Sequence, residues 1–285
     1  MQISHSGMQD SERLAELSRI IESGNAVLFT GAGFSAEASD RSGRGLPDSA
    51  RMIGDLWSLL FGDEPRDDST LADLYDVALL RAPDQLCEYL RSRLQIGDSP
   101  LPPTFAAWFG APWRRIYTLN VDDLEVAVSR QFDLPRKLTS ISALADRERP
   151  ENGALEVIHL NGIAGDDPRD VTFSTMQYAS RLCTPDREYE RLIEDLRASP
   201  FVFVGTTLDE VVLWKHVQLE RSHSNDEAVP RRHSFLISPS LTKARQTLLE
   251  AHRIHWVRGT AAEIANNVLS RLQSVNERSK SAAGG

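Results

Sequence analysis

Residues 25–38 read NAVLFTGAGFSAEA, and the way this stretch is parsed decides the fold. Ala26 to Thr30 is apolar and β-prone, and it breaks at Gly31-Ala32-Gly33 into a segment able to start a helix. Two glycines at a strand end allow backbone to approach a ligand closely, and a helix N-terminus behind them favours an anion. On that reading Ala32 and Gly33 bring amides to a pyrophosphate. The alternative is a tight turn with Ser35 as a helix cap. The motif is G-A-G-F-S and not the G-x-G-x-x-G dinucleotide fingerprint, so this stretch alone leaves both open.

Outward from this turn, strand and helix patterns alternate. SERLAELSRIIESG (11–24) has helical spacing of Leu14, Leu17, Ile20 and Ile21, with Gly24 as its stop. Gly45 to Leu94 is helical in ARMIGDLWSLLF, TLADLYDVALL and PDQLCEYLRSRL, and the Pro-rich DSPLPPTF closes the block. Its apolar spacing suits core packing better than a lid or an oligomer contact. Further strands are predicted at Arg114–Asn120, Leu155–Leu160, PFVFVGTT (200–207), RRHSFLIS (231–238) and HRIHWVRG (252–259). DREYERLIEDLRAS (186–199) is strongly amphipathic, and NERSKSAAGG (276–285) reads as a disordered tail. Alternation of this kind implies an α/β fold, a parallel sheet with helices on both faces. Ligands in such sheets bind beyond the carboxyl ends of the strands. Thr30-Gly31, Leu119-Asn120, Leu160-Asn161 and Val204-Gly205 are therefore predicted to face one site.

Composition narrows the function. The 285 residues are 41% hydrophobic and 26% charged, with a formal net charge of −9, which suits a soluble domain and disfavours nucleic acid as a direct ligand. Cys87 and Cys183 are the only cysteines, which fits a reducing cytoplasm and inert thiols. No apolar run has membrane-spanning length, and the polar start does not read as a signal peptide, so the expected location is cytoplasmic. Trp57, Trp108 and Trp113 read as packed residues.

Three further motifs follow the glycine turn. TLNVDD puts Asn120 at a strand end with Asp122 and Asp123 behind it; these serve as turn and cap residues, or Asn120 presents its amide to a water or a sugar hydroxyl. IHLNG puts His159 near a strand end, either as a satisfied structural residue or as a base working near neutral pH. FVFVGTT ends a strand at Gly205, with Thr206 and Thr207 following.

In this order and spacing the four motifs resemble the Sir2 (sirtuin) family over roughly Ala26 to Val268. The resemblance implies a Rossmann-like sheet that binds NAD and cleaves its nicotinamide–ribose bond. By motif, Gly31, Ala32, Gly33, Phe34 and Ser35 line the dinucleotide site. Asn120 and Asp122 hold the nicotinamide-ribose region, and His159 is the general base. Gly205, Thr206 and Thr207 contact the adenosine half, with Gly259 and Thr260 near adenine. GLPD, with Asp48, resembles the family's loop over nicotinamide, though Ser49 and Ala50 stand where protein deacylases carry an aromatic residue and an Arg. One SIR2-like domain is expected over 1–275: a core at about 12–44, 105–165 and 200–275, a helical inserted lobe at about 45–104, and a second insert at about 166–199.

Zinc-binding deacylases carry four Cys ligands, and this chain has two distant cysteines, so no zinc or other metal is expected. In the second insert, VTFSTMQYASRL resembles the strand-like S/T-x-x-x-Y element of zinc-less prokaryotic SIR2-like proteins, with a helix after it. That group is similar to NAD-hydrolysing effectors of antiphage defence. The resemblance thus implies hydrolysis of NAD as substrate, latency until assembly, a homo-oligomer, and an activating partner such as a HerA-type ATPase or a short Argonaute. A zinc-less NAD-dependent deacylase and a non-catalytic module binding NAD or ADP-ribose are the alternatives. A dehydrogenase fits less well without the glycine fingerprint.

Overall fold

The computed structural model describes residues 4–145, 152–165, 167–183, 186–208 and 233–271. Seven short strands make one sheet: β1 Val27–Thr30, β2 Arg115–Thr118, β3 Leu138–Ser142, β4 Leu155–His159, β5 Phe201–Val204, β6 Ser234–Ser238 and β7 Ile254–Arg258. All pairings are parallel, in the order β3-β4-β2-β1-β5-β6-β7. The α/β, Rossmann-like arrangement expected from the alternation is present. The tail predicted at 276–285 lies outside the described residues.

Buried parallel strands need cover on both faces, and alternate side chains supply it. Leu28, Ile116, Val157, Val202 and Phe235 point to one side, against Leu17 and Ile21 of α1 (Ser4–Glu22) and Phe105 and Trp108 of α5 (Pro103–Gly110). Phe29, Tyr117, Ile158, Phe203 and Leu236 point to the other, against Tyr189 and Leu192 of α8 (Arg187–Ala198). Trp108 and Trp113 stack within the first layer, with ring centroids 5.9 Å apart. Among the described residues no helix is long and apolar enough to cross a membrane.

The helical block forms α2 Ser49–Phe61, α3 Leu71–Arg81 and α4 Pro83–Leu94. Met52, Leu56, Leu74, Tyr75, Leu86 and Leu90 give it a core of its own, which also takes in Val121, Ala164 and Val171 from the sheet's loops. Trp57 is buried there too. Polar ties hold the block down: buried Arg93 of α4 pairs with buried Asp40, and the Ile96 amide donates to the Asp123 carboxylate at 2.7 Å.

Two elements depart from the sequence reading. Strand β3 falls in LTSIS, which carries no clear apolar run. It is a half-exposed edge strand, where packing asks little of the side chains. The strand-like element predicted within VTFSTMQYASRL is instead helix α7 (Thr175–Cys183), with only Val171 making an isolated bridge to Gly162. Ser174 explains the difference, since its hydroxyl accepts the Gln177 amide at 3.0 Å and caps a first helical turn.

The loops after β1 and β5 touch backbone to backbone. The Gly31 amide donates to the Val204 carbonyl (3.1 Å) and the Gly33 amide to the Gly205 carbonyl (2.9 Å). Gly205 has φ +68°, and a Cβ there would lie 2.1 Å from the Phe34 nitrogen. Gly205→Ala should therefore combine left-handed strain with a clash and destabilise by about 3 kcal/mol or more. Gly43→Ala, at φ +76° with open space around it, should cost only about 1 kcal/mol. Urea midpoints of the two variants check this; equal losses would mean that the loop contact is not as tight as described.

Candidate functional site

Because the strands are parallel and in register, residues at or next to their carboxyl ends form one transverse row. Ser142, His159, Thr118, Thr30, Val204, Ile237 and Val257 are successive partners across the sheet. The row is apolar on the β5-β6-β7 side and polar on the β1-β2-β4-β3 side. The change falls at β1/β5, where the chain's connections diverge to opposite halves, the place where open α/β sheets bind ligands.

Two cavities lie beyond this row. The larger, of about 660 Å³, is lined by Gly31, Ala32, Gly33, Ser49, Leu119, Asn120, Gly205, Thr206, Thr207, Gly259 and Thr260, with Ser238, Pro239 and Ser240 of the β6 loop closing it. Its volume lies within the roughly 300–1,000 Å³ typical of cofactor sites. Among the described residues no side chain on its wall is ionisable. The smaller cavity, of only about 10 Å³, adjoins it at Asn120 and lies among Thr30, Phe34, Ser35, Thr118, Asp122, Glu125 and His159. Asn120 lines both cavities.

The structure thus gathers most residues predicted from sequence. Gly31, Ala32, Gly33, Gly205, Thr206, Thr207, Gly259 and Thr260 line the open cleft, and Ser35, Asp122 and His159 stand behind it. Three details differ from prediction. The Gly33 amide is committed to the Gly205 carbonyl, so it is not presented to a pyrophosphate. Phe34 is core, with Phe105, Trp108 and Phe109 edge-on at 5.7–6.1 Å. Asp48 caps α2 by accepting the Arg51 amide at 2.8 Å and does not reach the cleft wall. Glu125 and the Ser238–Ser240 loop were not anticipated. Glu125 stands in the first turn of α6 (Leu124–Gln131), where an acidic residue reads as an ordinary helix-start residue, so the sequence carried no separate signal for it.

A hydrogen-bond network joins the inner residues. Asn120 Nδ2 donates to Ser35 Oγ (2.8 Å), and Ser35 in turn bonds the Asp122 carboxylate, which also accepts the Leu124 amide at 3.2 Å. His159 is 1% exposed. Its Nδ1 lies 2.9 Å from the Asn120 carbonyl oxygen and its Nε2 lies 3.1 Å from Glu125 Oε1. Both neighbours are acceptors, so the ring holds two hydrogens when Glu125 is ionised.

Electrostatics follow from this geometry. Burial lowers the proton affinity of His159, but the Glu125 charge and hydrogen bond outweigh it and raise the pKa above 6.5. Burial pushes Glu125 up, yet His159 and Ser140 pull it below 4.5. The pair therefore stabilises the fold fully between about pH 4.5 and 6.5. It loses the Glu125 part in acid and the His159 part as pH rises through the raised value. Asp122 is different: burial raises its pKa from 3.8 to about 6, helped by the Glu125 charge and opposed by Ser35 and His159.

A family model for the SIR2-like domain matches residues 114–257, just over half of the chain, and the chain belongs to that family. The match spans Asn120, Asp122, Glu125, His159 and Gly205, while the glycine turn and helical lobe precede it. No curated protein matches the chain. Among the described residues no group of three or more His, Cys, Asp or Glu is arranged to hold a metal ion.

Asp122 provides a stability test. A carboxyl raised by burial favours folding when protonated; that contribution is full below pH 3.8 and is lost as pH climbs through about 6. Asp122→Asn keeps an acceptor for Ser35 and the Leu124 amide while removing the buried charge. It should be more stable than the parent at pH 8, by up to about 3 kcal/mol, and no more stable at pH 4. Denaturant titrations at the two pH values decide, and a variant less stable at pH 8 would contradict the assignment.

Proposed function

We propose that the protein is an NAD glycohydrolase, cleaving NAD to nicotinamide and ADP-ribose. The observation that carries this reading is the position of Asn120 on the wall shared by an uncharged dinucleotide-sized cleft and a buried Asp–Ser–His–Glu cluster, in a SIR2-like chain. Ser238, Ser240, Thr206, Thr207 and Thr260 offer hydroxyls to the adenosine half, and the strand-end amides and carbonyls bound the cleft between them.

Hydrolysis breaks the bond from ribose C1′ to the pyridinium nitrogen. The bonding pair leaves with nicotinamide and cancels its positive charge, a water oxygen bonds to C1′, and one water proton passes to a base. Asn120 is suited to orient that water or a ribose hydroxyl from the cleft wall. Fixing the two reactants supplies much of the acceleration. Asp122, ionised above about pH 6, is the proton acceptor in this reading, reached by a water on the inner side of Asn120; its link through Ser35 orients the Asn120 amide and carries no proton. His159 already carries a hydrogen on both nitrogens, so it could accept a proton only after losing the one on Nε2, and it serves this step as a buried cation beside Asp122. The Asp122 carboxylate also places negative charge behind the developing oxocarbenium ion.

Family likeness supports a defence effector that stays latent until it assembles as a homo-oligomer or meets a partner, because free NAD hydrolysis would poison its host. Nicotinamide release, followed by chromatography at several protein concentrations, should occur without acyl-peptide and rise more steeply than protein concentration. Asn120→Ala should lower it by about 10²-fold or more, the scale of a lost positioning or general-base contribution. Product that forms only with acetyl-lysine peptide, as O-acetyl-ADP-ribose, would overturn hydrolysis in favour of deacylation.

A further inference from the structure

Glu125 has no part in the reaction as written, yet it occupies a costly position. Its carboxylate is 3% exposed, opposite a histidine that is 1% exposed, and it also accepts a hydrogen bond from Ser140 of β3. A buried ion pair of this kind commonly gains the fold little over an apolar pair of the same volume. Its geometry gives it a different use. The far side of the His159 ring, Nδ1, is bonded to the main-chain carbonyl of Asn120, the residue whose side chain reaches the cleft. Glu125, His159 and Asn120 form one rigid line from helix α6 through β4 to the cleft wall.

We propose that Glu125 is a positioning residue of the NAD-cleaving site: it holds the His159 ring with both nitrogens protonated, and through that ring it fixes the Asn120 main chain at the cleft. This rests on the function proposed above. The groups facing His159 are Glu125 from α6, Asp122 from the β2–α6 loop and the Asn120 carbonyl; Ser35 and Ser140 complete the surroundings of the two carboxylates. Glu125 is thus the nearest charge that sets the ring's protonation, with Asp122 acting from farther off. The arrangement has the form of an orienting carboxylate behind a histidine, where removing the carboxylate changes tautomer and orientation together.

Two measurements on the full-length protein test this. The first is NAD cleavage by the parent and Glu125→Gln between pH 5.5 and 9, at the protein concentration where the parent is active. The second is titration of isotope-labelled histidine by NMR, with the His159 resonance assigned from His159→Asn. The expected result for Glu125→Gln is a kcat lower by roughly 10- to 100-fold with KM changed less than about twofold. Its His159 should lose the second ring proton at a lower pH than in the parent, and the kcat profile should change shape over the same interval. Glu125→Asp keeps the charge at shorter reach, so it should retain the titration while losing kcat, and it stands in if the Gln variant does not fold. An active parent whose Glu125→Gln variant keeps the same kcat profile would reduce Glu125 to packing and overturn the proposal. A parent that never cleaves NAD would overturn the proposed function instead. The histidine titration then still decides whether Glu125 holds the ring, and an unchanged titration overturns that half as well.

Discussion

The backbones that follow β1 and β5 meet without room for a side-chain carbon between them, and the rest of the site is built around that meeting. The Gly31 amide donates to Val204 at the end of β5 and the Gly33 amide to Gly205, which turns left-handed there. Strand ends that would otherwise diverge are held together as the floor of a cleft. The glycines therefore have a structural reason that precedes any ligand. They let two turns close, and the closed turns leave Ala32, Thr206 and Thr207 on the wall of the space beyond. Phe34 completes the arrangement from below, seated among three aromatic rings of the core.

Next to this closed seam the sheet changes character within a single row. Apolar Val204, Ile237 and Val257 give way to Thr30, Thr118, His159 and Ser142, and helix α6 lays Glu125 over the polar half. Burying polar groups is costly unless each finds a partner, and here serine hydroxyls, a main-chain carbonyl and an amide supply them. Asp122 is left with a raised pKa as the residue of that cost. A carboxyl whose pKa burial moves to about 6, beside a buried Glu–His pair at the carboxyl end of a parallel sheet, is the kind of group that marks a candidate site.

Much of this was readable in the sequence, for identifiable reasons. Fully buried strands such as Val27–Thr30 and Phe201–Val204 are continuous apolar runs ended by Gly, a pattern that survives without tertiary context. The edge strand Leu138–Ser142 does not have to be apolar, and so LTSIS gave no signal. At the site, strand-end residues such as Asn120 and Gly205 could be placed because parallel strands bring their carboxyl ends together. Glu125 was missed because its role depends on the rotation of a helix against β3 and β4. The Ser238–Ser240 wall was missed because small hydroxyl residues after a strand look the same in any loop. The capped helix beginning at Thr175 overrode the local β-preference of the residues before it through one serine hydroxyl, an interaction invisible to periodicity.

The core of the helical lobe includes Val121, the residue between Asn120 and Asp122. Polar groups tie the lobe to the rest as well, among them the Asp40–Arg93 pair, the Ile96–Asp123 bond and the Tyr75 hydroxyl, which donates to the Pro168 carbonyl. Such a unit can open as a whole at lower free energy than the sheet beneath it. Opening of the lobe would withdraw the apolar grip on Val121 and loosen the segment from Asn120 to Asp122, so amide exchange in α2 to α4 would report on the wall of the cleft.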